Sequence, residues 1–95
     1  MLYKINISIS KAKNYCNNYI KNLIDKYLAI FIKYKYNNIS LIKNLNENKY
    51  IINCDEEDIN NNIEEILIAI EKHIKNIYPE CGSIWELKYN YELFI

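Results

Sequence analysis

Ninety-five residues, about half of them apolar, with twelve Lys balanced by twelve acids, describe one domain with a single modest core. No apolar run reaches the roughly 18 residues of a membrane span. A single Gly rules out the common Gly-rich phosphate loops, and the absence of Arg removes the planar fork used for bidentate phosphate or guanine contacts.

Residues 2–10, Leu-Tyr-Lys-Ile-Asn-Ile-Ser-Ile-Ser, alternate with period two. Tyr3, Ile5, Ile7 and Ile9 share one face and Lys4, Asn6 and Ser8 the other, which predicts a strand with one buried side. The period then changes. Ala12, Tyr15, Cys16, Tyr19, Ile20, Leu23, Ile24 and Tyr27 recur at three and four, predicting an amphipathic helix with Ser10 as its N-cap. Residues 28–36 fit two patterns. Leu28, Ile30, Ile32, Tyr34 and Tyr36 alternate, while Tyr27, Ile30, Phe31 and Tyr34 would extend the helix. Their aromatic and β-branched content, and the length of roughly 36 Å that the extended helix would reach, favour a strand.

Asn37-Asn38 is a turn signal. Short strands are predicted for Ile39–Leu45 and Lys49–Cys54, around Asn46-Glu47-Asn48. Asp55 then caps a second helix whose first turn is acidic, as the positive end of a helix dipole favours. Ile59, Ile63, Ile66, Leu67, Ile70, Ile74 and Ile77 form its apolar stripe, and Pro79 and Gly82 end it. In the last segment, Ile84–Ile95, Trp85, Leu87, Tyr89, Tyr91, Leu93 and Ile95 share a face opposite Glu86, Lys88, Asn90 and Glu92.

The order β-α-β-(β)-β-α-β is satisfied by two helices on one face of a single, mainly antiparallel sheet. That is a ferredoxin-like α+β sandwich covering residues 1–95, with Ile7, Ile20, Leu23, Ile63, Ile66, Ile70, Leu87 and Tyr89 in its core.

The chemistry-bearing residues form no recognisable site. Cys16, Cys54 and Cys81 are odd in number and irregular in spacing, which reads as separate thiols rather than a disulfide framework. With His73 they lack the paired spacing of a zinc site. The run Asp55-Glu56-Glu57-Asp58 lacks the glycine and alternating ligands of a calcium loop. No catalytic residue, metal or cofactor is assigned, and the expectation is a protein that is not an enzyme. With no secretory leader pattern in Met-Leu-Tyr-Lys-Ile-Asn, the expected location is the cytoplasm, or the host cell cytoplasm for a viral protein.

What remains is surface. The zero net charge hides a split: residues 1–49 hold nine Lys against Asp25 and Glu47, and residues 50–95 hold three Lys against ten acids, nets of +7 and −7. On the second helix Glu57, Glu64, Glu65 and Glu71 ring Ile68, an apolar residue off the core stripe, which predicts a protein-binding face for a basic partner. Twenty Ile, sixteen Asn, twelve Lys and ten Tyr point to an AT-rich genome. Together with small size, this suggests a phage or mobile-element inhibitor, anti-defence or anti-CRISPR-like, acting on a nucleic-acid-handling protein. The alternative is a nucleic-acid binder using Lys11, Lys13, Lys21, Lys33 and Lys35. A homodimer is expected through the last strand or through pairing of the two charge halves.

Overall fold

The computed structural model describes residues 1–94 and contains β1 (Leu2–Ser10), α1 (Asn14–Lys35), β2 (Ser40–Asn46), β3 (Lys49–Asn53), α2 (Ile63–Ile77) and β4 (Glu86–Leu93). The strands make one sheet in the order β2-β3-β1-β4, every neighbouring pair antiparallel. Each β-α-β unit is thus split by a strand of the other. Alternation decides which side is covered. Tyr3, Ile5 and Ile7 of β1 are buried, and the register sets Tyr3 against Ile52, Ile5 against Tyr50 and Tyr91, and Ile7 against Tyr89 on the same side. The two helices close that side; Lys4, Asn6, Ser8, Lys88, Asn90 and Glu92 take the open one.

Among the described residues there are four strands, not five. Residues 28–35, expected as a strand, are the second half of α1. The buried row is Cys16, Ile20, Ile24, Leu28 and Ile32, at strict i+4 spacing, so the apolar alternation beyond Tyr27 belongs to a helix. The length objection also fails. Twenty-two helical residues span about 33 Å. The nine residues of β1 span about 30 Å. Lys33, Tyr34, Lys35 and Tyr36 therefore leave the sheet, and Phe31 packs against the core from the helix instead of lying on the open face. Ser10 does not cap α1. It ends β1, Lys11 turns the chain with φ 62°, and Lys13 holds the N-cap position with no side-chain cap bond. Tyr15 and Tyr19 are solvent-exposed, so the buried stripe is narrower than the aromatic pattern implies.

Asp55 does cap the second helix. Its Oδ1 accepts the Asp58 N–H at 2.8 Å, and Asp58 Oδ2 accepts the Asp55 N–H at 3.4 Å, the reciprocal arrangement of a capping box. A π-helical turn, Asp58–Asn62, then leads into α2. The widened turn leaves the Ile59 carbonyl available, and the Tyr89 hydroxyl donates to it at 2.9 Å. Ile59, Ile63, Ile66, Leu67, Ile70 and Ile74 are buried as the spacing predicts; Ile77 is exposed. Of the expected core, Leu23 on α1 is only half-buried, beside the buried Cys16–Ile32 row, and Leu87 and Tyr89 are half-buried because β4 is an edge strand. The β4 segment begins at Glu86 rather than Ile84; Trp85 just before it is fully buried, and Ile95 lies outside the described residues.

Two features pin α1, one in its first turn and one near its middle. Cys16 and Cys81 form a disulfide, with Cα atoms 5.8 Å apart, correcting the expectation of three separate thiols. At the β2–β3 hairpin, Asn46, Glu47 and Asn48 all have positive φ. Buried Asn48 donates through Nδ2 to the Lys21 carbonyl at 2.9 Å, to Asp25 Oδ1 at 3.3 Å and to the Tyr50 hydroxyl at 3.1 Å, and the Tyr50 hydroxyl donates to Asp25. Burial, reinforced by the Asp25 carboxylate, pushes the Tyr50 hydroxyl well above its ordinary range and keeps it a donor.

Candidate protein-binding site

The sequence-singled acids distribute over α2 and the turn before it. Helix geometry sets Glu64, Ile68, Glu71 and Lys75 on the flank that looks toward β4. Together with Ile84, Trp85, Leu87 and Tyr89 they line a groove of about 640 Å³ between α2 and the edge strand. Ile68 is 60% exposed and Ile84 74% exposed, so two large apolar side chains stand in solvent on one groove. Glu64 is exposed beside them and holds no ion pair among the described residues.

Glu65 is turned away. Its carboxylate accepts the Tyr36 hydroxyl at 3.3 Å, at the C-terminal end of α1. Of the acids expected to ring Ile68, Glu64 and Glu71 therefore share its flank, and Glu65 lies on the opposite one. Glu57 is exposed directly before the π-helical segment. Glu71 is half-buried and has a structural task. It pairs with Lys75 at 3.0 Å, and its Oε1 accepts the Leu87 N–H at 2.8 Å, capping an edge-strand donor. Lys75 in turn lies 5.0 Å over the ring of Trp85, whose buried indole N–H has no hydrogen-bond partner among the described residues. Ile84 and Trp85 are groove residues that the alternation assigns to the last strand; the signal was their place two and three residues after Gly82, just before β4 begins.

The lysines of the alternative reading are scattered. Lys11 pairs with Glu86 at 3.1 Å in the β1–α1 loop. Lys13 and Lys35 flank a helix of 22 residues, about 33 Å apart along its axis. Lys21 is exposed between them, and Lys33 and Lys35 sit in the last turn, where the helix dipole favours cations. His73 presents its ring to Tyr27, with centroids 4.6 Å apart, and to Phe31 at 6.3 Å. Cys16 and Cys81 are consumed by their bond, and burial pushes the Cys54 thiol up to about 11, with Asp58 and Asp55 adding to the rise. Among the described residues no three His, Cys, Asp or Glu side chains gather as metal ligands, and no helix is long and apolar enough to cross a membrane.

No protein-family model, curated protein or solved structure matches the chain.

Proposed function

We propose that this chain is a small, non-enzymatic protein-binding domain that docks through the α2 flank beside β4. The observation that carries this reading is the exposure of Ile68 and Ile84 on one groove next to the free carboxylate of Glu64. An apolar anchor beside unpaired acids suits a basic protein surface: the carboxylates speed encounter and burial of Ile68 slows departure. Glu57 lies outside the groove lining, and Glu71 supports the groove wall rather than meeting a partner. In the AT-rich phage or mobile-element setting suggested by composition, the partner class is a nucleic-acid-handling host protein and the outcome is inhibition. The cytoplasmic location that goes with this setting fits the Cys16–Cys81 bridge poorly, because reducing compartments keep thiols reduced. The docking surface itself does not depend on the compartment.

Affinity capture from a low-GC bacterial lysate tests the reading. The parent should retain a protein at low salt and release it as salt rises. Glu64→Lys should slow its association, Ile68→Asp should speed its loss, and both variants should melt near the parent because both side chains face solvent. Capture of nucleic acid that survives these changes and vanishes with Lys13→Glu plus Lys21→Glu would replace this reading with the lysine-face one.

A further inference from the structure

The two edges of the sheet are not alike. The outer strand β2 has two register shifts against β3, one between Leu41 and Lys43 and one between Asn44 and Asn46, which spoil it as a template. The other edge, β4, runs in unbroken register with β1 from Glu86 opposite Ser10 to Leu93 opposite Tyr3. The Phe94 N–H bonds the Leu2 carbonyl, so even-numbered residues of β4 turn their backbone groups toward β1 and odd-numbered ones turn them outward. Leu87, Tyr89, Tyr91 and Leu93 thus form an outward row of donors and acceptors. Among the described residues, only Leu87 of this row has its donor taken, by Glu71. Tyr91 and Leu93 are also exposed as side chains.

The sequence along that row reads nearly the same in both directions about Asn90: Leu-Lys-Tyr-Asn-Tyr-Glu-Leu. In an antiparallel pair of two copies with a two-fold axis at Asn90, Tyr89 meets Tyr91, Leu87 meets Leu93, and Lys88 meets Glu92, each contact occurring twice. Lys88 has no acidic partner in its own chain among the described residues, and Glu92 reaches only Lys4, at 3.8 Å. Neighbouring registers lose this match. An axis at Tyr89 sets Glu86 against Glu92, one at Lys88 sets Lys88 against itself, one at Glu92 sets Glu92 against itself, and one at Tyr91 leaves Lys88 opposite Phe94.

We propose that the exposed edge of β4 binds a second copy of this chain, antiparallel and centred on Asn90, joining the two sheets into one of eight strands. Tyr89 and Tyr91 supply the central hydrogen-bonded rungs, and the Glu71 carboxylate closes the zipper at Leu87. The axis stands perpendicular to the sheet, so both pairs of helices lie on the same side and the two α2 helices offer their acidic flanks together.

Sedimentation equilibrium with charge-reversed variants tests both partner and register. The parent should be a dimer at micromolar concentration. Lys88→Glu and Glu92→Lys each place like charges opposite one another twice and should weaken self-association by about tenfold or more. An equimolar mixture of the two variants restores opposite charges at both contacts and should recover the dimer, as should the double reversal in one chain. Hydrogen exchange gives a readout without substitution: the Tyr89 and Tyr91 amides of the parent should lose protection on dilution. A parent that stays monomeric, single reversals that associate like the parent, or a mixture that remains monomeric would each overturn the proposal. Partner capture by the monomeric variants tests the docking reading separately.

Discussion

Cys54 shows how one buried side chain sets a property of the whole fold. It lies under the start of α2, and burial raises its thiol from an ordinary 9.0 to about 11, with Asp58 and Asp55 adding to the rise. Between those values the unfolded chain has released a proton that the native protein still holds. Native stability is therefore complete below about pH 9 and declines as pH climbs toward 11. The buried Tyr50 hydroxyl, raised by burial and by Asp25, extends the decline above pH 10. Melting temperature should stay level from neutral pH to the onset and then fall, and Cys54→Ala should make the first part of the fall shallower. At neutral pH the native thiol should resist iodoacetamide until denaturant is added; rapid labelling would show an open, low-pKa thiol instead. Little of this was legible in the sequence. Burial of Cys54 follows from alternation with Tyr50 and Ile52, but its acidic neighbours come from the capping turn, and only the packed structure brings the two together.

At the scale of elements, legibility followed the number of periods a segment could satisfy. β1 fits only period two and was readable to the residue. Residues 28–35 fit both two and four, because Leu28 and Ile32 belong to either series, and the i+4 row continued from Cys16 decides for the helix. The candidate flank was half legible. Helical spacing placed Glu64 and Ile68 outside the core, but it could not show that Tyr36 draws Glu65 to the far side or that Leu87 engages Glu71. The β2–β3 hairpin was readable as a turn, though not its strain. Glu47 holds φ 55° with a full side chain, a conformation that costs an ordinary residue about 1–2 kcal/mol. Glu47→Gly removes that cost and adds up to about 1 kcal/mol of chain entropy, so stability should rise by a few tenths to about 1 kcal/mol in denaturant titration. Asn48→Ala should do the opposite. It strips the Lys21 carbonyl, Asp25 and Tyr50 of a shared donor and should cost about 1–3 kcal/mol. Equal effects from the two changes would place the energy of this turn in its backbone alone.

For the whole molecule, topology reworks what the linear sequence suggests about charge. The basic and acidic halves are contiguous in the chain, yet the strand order β2-β3-β1-β4 interleaves them. Lys4–Glu92 and Lys11–Glu86 are ion pairs between the halves across the β1–β4 side of the sheet. Part of the charge split is thus joined across the sheet, while Lys21, Lys26, Lys33 and Lys35 remain on α1 and Glu64 and Glu65 on α2. Interleaving also leaves the chain knitted front to back, and one covalent bond reinforces this. Cys16, in the first turns of α1, joins Cys81, just past α2, at a separation of 65 residues. A cross-link over that span restricts the unfolded chain by about 4 kcal/mol in the loop-closure account. That is a large share of the roughly 5–15 kcal/mol that holds a domain of this size. Reduction, or Cys16→Ser with Cys81→Ser, should lower the denaturation midpoint and make the slope of the transition somewhat steeper, because the unfolded chain, freed of its cross-link, expands and exposes more surface. The helices should remain, since Ile20, Ile24, Ile63, Ile66 and Ile70 pack independently of the bridge. A reduced protein with an unaltered midpoint would mean that the ends of α1 and α2 are held by side-chain packing alone, the Tyr19–Tyr78 contact at 6.3 Å being the nearest support.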